Sequence, residues 1–113
     1  MSDYEKYRNF LIGKLDERTL LEQLAEEASE LSQAALKLIR AKGLSENVTP
    51  KTEQEALLAL AEKMVDCSIV IDLLCAQNWE IVGNIRENIL DGNDDIKTSS
   101  KWKRWAERLG YKD

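Results

Sequence analysis

A single proline, Pro50, stands among 113 residues, and only five glycines accompany it. A chain so poor in residues that break or turn the backbone cannot supply the many tight connections of a β-rich fold, so long helices are the expected solution. Pro50 lies between two segments of helical apolar periodicity, with a connection over residues 43–52. In the first segment Leu24, Ala28, Leu31, Ala35 and Leu38 recur at alternating intervals of four and three; Thr19 and Glu22 form a capping-box pattern at its start, and Gly43 is its stop. In the second, Thr52 and Glu55 repeat the capping box, the helix runs to about Gln77, and Leu57, Leu60, Met64, Ser68 and Ile71 form the central seam. Val65, Ile69, Val70, Leu73 and Leu74 widen that surface, which predicts a helix covered on several sides. Shorter helices are predicted over residues 4–13, from Asn78 as N-cap to about Leu90, and from Ser100 as N-cap to Leu109. The expected fold is all-α, a single domain over residues 1–113. It is a bundle of about four helices around two long antiparallel ones, completed by oligomerisation because one copy cannot cover apolar faces this broad.

Composition narrows the chemistry. The chain has no histidine, which excludes Ser/His/Asp triads, Cys/His dyads and imidazole-ligated metals. Carboxylates, lysines, arginines and hydroxyls must carry any reaction. The net charge of -5 argues against duplex nucleic acid as a partner. Charge is unevenly spread: residues 97–113 hold six basic and two acidic side chains, a local +4, which leaves -9 on residues 1–96. The N-terminal residues lack an apolar signal core, and no apolar run reaches the roughly 18 residues of a membrane span. Cys67 and Cys75, about 12 Å apart along one helix, cannot bridge each other. The expectation is a cytoplasmic protein with reduced thiols and no membrane contact.

The acids of the two long helices are the most informative feature. Glu27 and Glu30 lie about 60° and 120° to one side of the Leu24 stripe, one turn apart, at the border of an apolar face. On the second helix Glu62 and Asp66 are one turn apart, and Asp66 opens the apolar run Cys67-Ser68-Ile69-Val70-Ile71. Like charges at an apolar border repel unless a cation lies between them. In an antiparallel pair, Glu27 and Glu30 face Asp66, a set of hard oxygens that suits Mg2+ or Mn2+. The plainer alternative is that acid pairs at helical spacing are solvated surface.

These segments resemble a known family. Leu-Ala-Glu-Glu-Ala-Ser-Glu-Leu-Ser-Gln-Ala-Ala-Leu-Lys (residues 24–37) and Leu-Ala-Glu-Lys-Met-Val-Asp-Cys-Ser-Ile-Val-Ile-Asp-Leu-Leu (residues 60–74) are similar to the MazG-like nucleotide pyrophosphohydrolases, an all-α superfamily marked by Glu-x-x-Glu on one helix and Glu-x-x-Asp on the next. The resemblance implies Mg2+-dependent hydrolysis of a nucleoside triphosphate to a monophosphate and pyrophosphate by a homodimer or homotetramer. Glu27 and Glu30 match the first motif and Asp66 ends the second; Lys63 stands where the family has glutamate, with Glu62 as the substitute ligand. The expected metal set is therefore Glu27, Glu30, Glu62 and Asp66, with Glu27 and Glu30 as catalytic carboxylates.

Phosphoryl chemistry also needs cations. Lys101, Arg104 and Arg108, at i, i+3 and i+7, are the candidate contacts to the nucleotide phosphates, against the plainer reading of a solvated helix face. Two other functions fit the same residues. One is a catalytically weak or inactive helical module that binds nucleotide or a protein partner, the metal site lost at Lys63. The other is hydrolysis of phosphoribosyl-ATP.

Overall fold

The structure, a computed structural model, describes residues 2–44, 46, 51–85 and 98–113. Five helices are described: α1 (Asp3–Lys14), α2 (Glu17–Ala41), α3 (Glu53–Gln77), α4 (Trp79–Asn84) and α5 (Thr98–Arg108). No strand occurs among the described residues. The chain divides into two units, Met1–Gln77 and Asn78–Asp113.

In the first unit α2 and α3, each of 25 residues, pack along one another, and α1 packs on α3. The two long helices are antiparallel: Lys42 at the end of α2 pairs with Glu53 at the start of α3, and Glu30 pairs with Lys63. Local chemistry sets their ends. Thr52 and Glu55 form the predicted capping box, Glu55 N–H donating to Thr52 Oγ1 at 3.1 Å and Thr52 N–H to Glu55 Oε1 at 3.4 Å. Gly43, at φ +73°, closes α2 as expected, its N–H bonded to Arg40 O while Leu44 N–H reaches Ile39 O. The start of α2 differs from the sequence reading. Asp16 is the N-cap, its Oδ1 accepting from Thr19 N–H at 2.7 Å, which holds the carboxyl below its usual range. Thr19 is thus inside the helix, and Glu22 pairs with Arg18 one turn back rather than with a cap.

α1 docks through polar contacts. Arg8 grips Asp72 with two bonds, Nε to Oδ2 at 2.8 Å and Nη2 to Oδ1 at 3.0 Å. Gln77 Nε2, at the end of α3, donates to Ile12 O at 2.8 Å and to Leu15 O, which satisfies carbonyls at the end of α1.

The core is smaller than the periodicity suggests. Its buried apolar members are Leu20, Ala34, Ala56, Cys67, Val70, Leu73 and Leu74. The seam predicted as central on α3 is open: Leu57, Met64 and Ile71 are 45%, 57% and 49% exposed. On α2, Leu21 and Ile39 are 46% and 40% exposed. These exposed residues share a side. Leu21 follows buried Leu20 by one position, and Leu57 and Ile71 follow buried Ala56 and Val70 by one, a rotation of about 100° in the same sense on each helix. For antiparallel helices that rotation carries both stripes to one side of the pair.

In the second unit Asn78 caps α4 as predicted, its side-chain oxygen accepting from Glu80 N–H and Ile81 N–H. The predicted end near Leu90 lies outside the described residues. α5 begins at Thr98, so Ser100 sits within it rather than at its N-cap, and Gly110 at φ +102° follows its end.

Candidate functional site

Glu30 lies one turn before buried Ala34 on α2, and Asp66 lies one turn before buried Val70 on α3. The one-turn offset turns both carboxylates about 40° away from the helix contact, toward the edge opposite the exposed apolar stripe. The antiparallel register then brings them to the same cation. Lys63 Nζ donates to Glu30 Oε2 at 2.8 Å and lies 3.6 Å from Asp66 Oδ2. All three side chains are about one-third exposed.

The ammonium of Lys63 is held above the ordinary lysine range, first by the hydrogen bond to Glu30, against a smaller loss from burial, and then by the charges of Glu30, Glu27 and Asp66. Glu27 completes the group from the position one turn before Glu30 along α2. Its Oε1 accepts from Gln23 Nε2 at 2.8 Å, while its Oε2 is buried without a hydrogen-bond partner. An unpartnered buried carboxylate oxygen is costly and is satisfied most directly by a cation or a water.

The structure therefore brings Glu30 and Asp66 onto Lys63, with Glu27 contributing its charge from one turn along α2, and leaves the other sequence candidates elsewhere. Glu62 is exposed and makes no hydrogen bond or ion pair among the described residues. Lys101, Arg104 and Arg108 are exposed on α5, in the unit Asn78–Asp113. Cys67 is buried and Cys75 half-buried, both as free thiols. Gln23, which orients Glu27, escaped sequence reading, although its i, i+4 spacing to Glu27 was a signal for it.

Among the described residues no three Cys, Asp or Glu side chains stand together as a ready-made metal cage. Two of the three acids here are turned onto an ammonium instead. As a donor set they are hard oxygens on facing helices, the chemistry of a Mg2+ site, and the bare Glu27 Oε2 fits such an ion. Comparison with known proteins adds no relative: no family model matches the chain, and neither a curated protein nor a solved structure does.

Proposed function

We propose that this chain is a nucleoside triphosphate pyrophosphohydrolase of the MazG-like kind, acting at the acidic edge of the α2–α3 pair. The observation that carries the reading is that Glu30 and Asp66, from two helices, share the Lys63 ammonium, with the unpartnered Glu27 Oε2 one turn away on α2, since acids that share an ammonium can share a metal ion. Glu27, Glu30 and Asp66 would hold Mg2+, or Mn2+, once Lys63 withdraws, and Glu62 adds a further carboxylate from the exposed side. When bound, such an ion neutralises phosphate charge and makes water more acidic.

The chain's own carboxylates handle the proton. Glu27, with one oxygen unpartnered, accepts it from the attacking water, and Glu30 fixes the water's direction. The water oxygen bonds to the α-phosphorus, the bond from that phosphorus to the bridging oxygen breaks, and pyrophosphate leaves with the electron pair. Lys101, Arg104 and Arg108 on α5 are the basic side chains that the family resemblance assigns to phosphate, an assignment tested separately by charge reversal. A pyrophosphate-release screen over the common and damaged nucleoside triphosphates, with Mg2+ or Mn2+, tests this. Release from at least one of them, abolished in Glu30→Ala, is expected; no release from any refutes the hydrolase reading.

The contact of Lys63 with two of the acids favours a second reading, a helical module that binds nucleotide or a protein partner while the ammonium permanently neutralises the site. It predicts binding without pyrophosphate release.

The functional form in either reading is a homodimer or homotetramer, with a second copy on the exposed stripe of α2 and α3. Leu21, Ile39, Leu57, Met64 and Ile71 expose roughly 400 Å2 of apolar side chain along one side of the helix pair. The stripe runs about 27 Å along α2, from Leu21 to Ile39, and about 21 Å along α3, from Leu57 to Ile71. Two helices from a second copy match the stripe in length and in apolar character, and complete a four-helix bundle.

A further inference from the structure

Beside the acids, between α2 and the first turns of α3, lies a pocket of about 140 Å3. Its floor is made of small buried side chains, Ala34 and Ala56, and its rim carries Lys37, Lys51 and Lys63 with Glu30 as the sole acid. Lys63 is already paired with Glu30 and Asp66, which leaves Lys37 and Lys51 as the pocket's cations without a counter-charge, in a body that is acidic elsewhere. Glu30 is already hydrogen-bonded to Lys63. Lys37 and Lys51 are half-buried, and neither has a hydrogen bond or ion pair among the described residues. Two half-buried cations that line one pocket without a counter-charge raise its potential, and a bound oxyanion would supply the missing charge.

We infer that Lys37, Lys51 and Lys63 form a binding site for phosphoryl groups of the nucleotide, contiguous with the carboxylates at Glu30. The volume, roughly that of four or five waters, admits one or two phosphoryl groups and excludes a nucleoside. Gln33, also on the rim, adds an amide donor. The position over the first turns of α3 lets the positive end of that helix add to the field. The inference rests on the hydrolase reading for the identity of its ligand, but the pocket is separately testable because it needs no divalent ion. Lys37 carries a sequence signal: it follows Glu30 by seven residues and so shares its face of α2. Lys51 carries none, since only the packing of α3 on α2 brings it to the same rim.

The test is calorimetric titration of the full chain with inorganic pyrophosphate in the absence of divalent metal, with a nucleoside triphosphate and a nucleoside as further arms. Wild type should bind pyrophosphate and the triphosphate and not the nucleoside. Lys37→Gln and Lys51→Gln should each weaken both by at least tenfold, Lys37→Arg should restore most of the loss, and Lys14→Gln, on α1, should change neither. Circular dichroism checks that the variants remain folded. Pyrophosphate binding that depends on Lys37 and Lys51, in a protein that cleaves no triphosphate, supports the pocket and refutes the hydrolase reading. A protein that cleaves triphosphates while Lys37→Gln and Lys51→Gln keep full affinity overturns the pocket and leaves the hydrolase standing. No pyrophosphate binding by wild type also overturns the pocket.

Discussion

Replacing Met64 with glutamate places a carboxylate at the middle of the exposed stripe of α3, seven residues from both Leu57 and Ile71. Full burial of a leucine, isoleucine or methionine side chain stabilises by about 1.5 to 3 kcal/mol, so covering the roughly half of each that is still exposed contributes about 1 kcal/mol per residue. With five such residues in each copy the gross gain is about 10 kcal/mol; set against an association cost at the low end of its range, about 4 kcal/mol, it leaves about 6 kcal/mol, a dissociation constant of tens of micromolar. Met64→Glu forfeits that contribution in both copies and buries two carboxylates without partners, each costing about 1 to 3 kcal/mol. The sum, about 4 kcal/mol or more, weakens the dimer by about a thousandfold. Sedimentation equilibrium from about 1 to 200 micromolar separates a wild type that dimerises from a variant that stays monomeric. Leu58→Glu serves as the control, since Leu58 is 72% exposed and about 120° round the helix from Met64. A wild type that stays monomeric throughout, or a Met64→Glu dimer as tight as wild type, would refute the reasoning.

Other consequences are separable. Divalent metal that binds only the folded chain should raise its stability, by about 1.4 kcal/mol at ten times the dissociation constant, and thermal melts of Glu30→Ala and Asp66→Ala should lose the rise. Lys63→Glu removes the ammonium and adds an oxygen ligand, so titration calorimetry should show tighter Mg2+ binding than in wild type; unchanged affinity would place position 63 outside the site. Acid should loosen α1, because Arg8 holds the Asp72 carboxyl below its usual range. The stability from that pair is present above the ordinary carboxylate pKa of about 4 and is lost as pH falls through the lower folded value, so melting curves from about pH 6 to 2 should fall more steeply for wild type than for Asp72→Asn. Reversing the charge of Lys101 should weaken a triphosphate more than a monophosphate in equilibrium binding if α5 contacts phosphates, and weaken both equally if it acts only as general electrostatics.

Much of the helical framework is written locally in the chain. The scarcity of Gly and Pro, the Thr52/Glu55 capping box, Asn78 and the Gly43 stop involve residues within a turn or two of each other, so their energetics are present before any packing occurs. The same locality misplaced the start of α2: the Asp16 carboxylate takes the N–H of Thr19 and starts the helix three residues before the Thr19 hydroxyl could cap it. Periodicity placed Glu27, Glu30 and Asp66 beside an apolar border, because a helix repeats geometrically along its own axis. It could not choose between the two stripes of α3, Leu57/Met64/Ile71 and Cys67/Val70/Leu74, since both satisfy helical spacing and only the partner helix decides which is buried. Nor could it show that Lys63 stands between Glu30 and Asp66, or that Lys51 shares a rim with Lys37. Those relations join residues on different helices, and their distances are set by the antiparallel register of α2 on α3 rather than by any interval along the sequence.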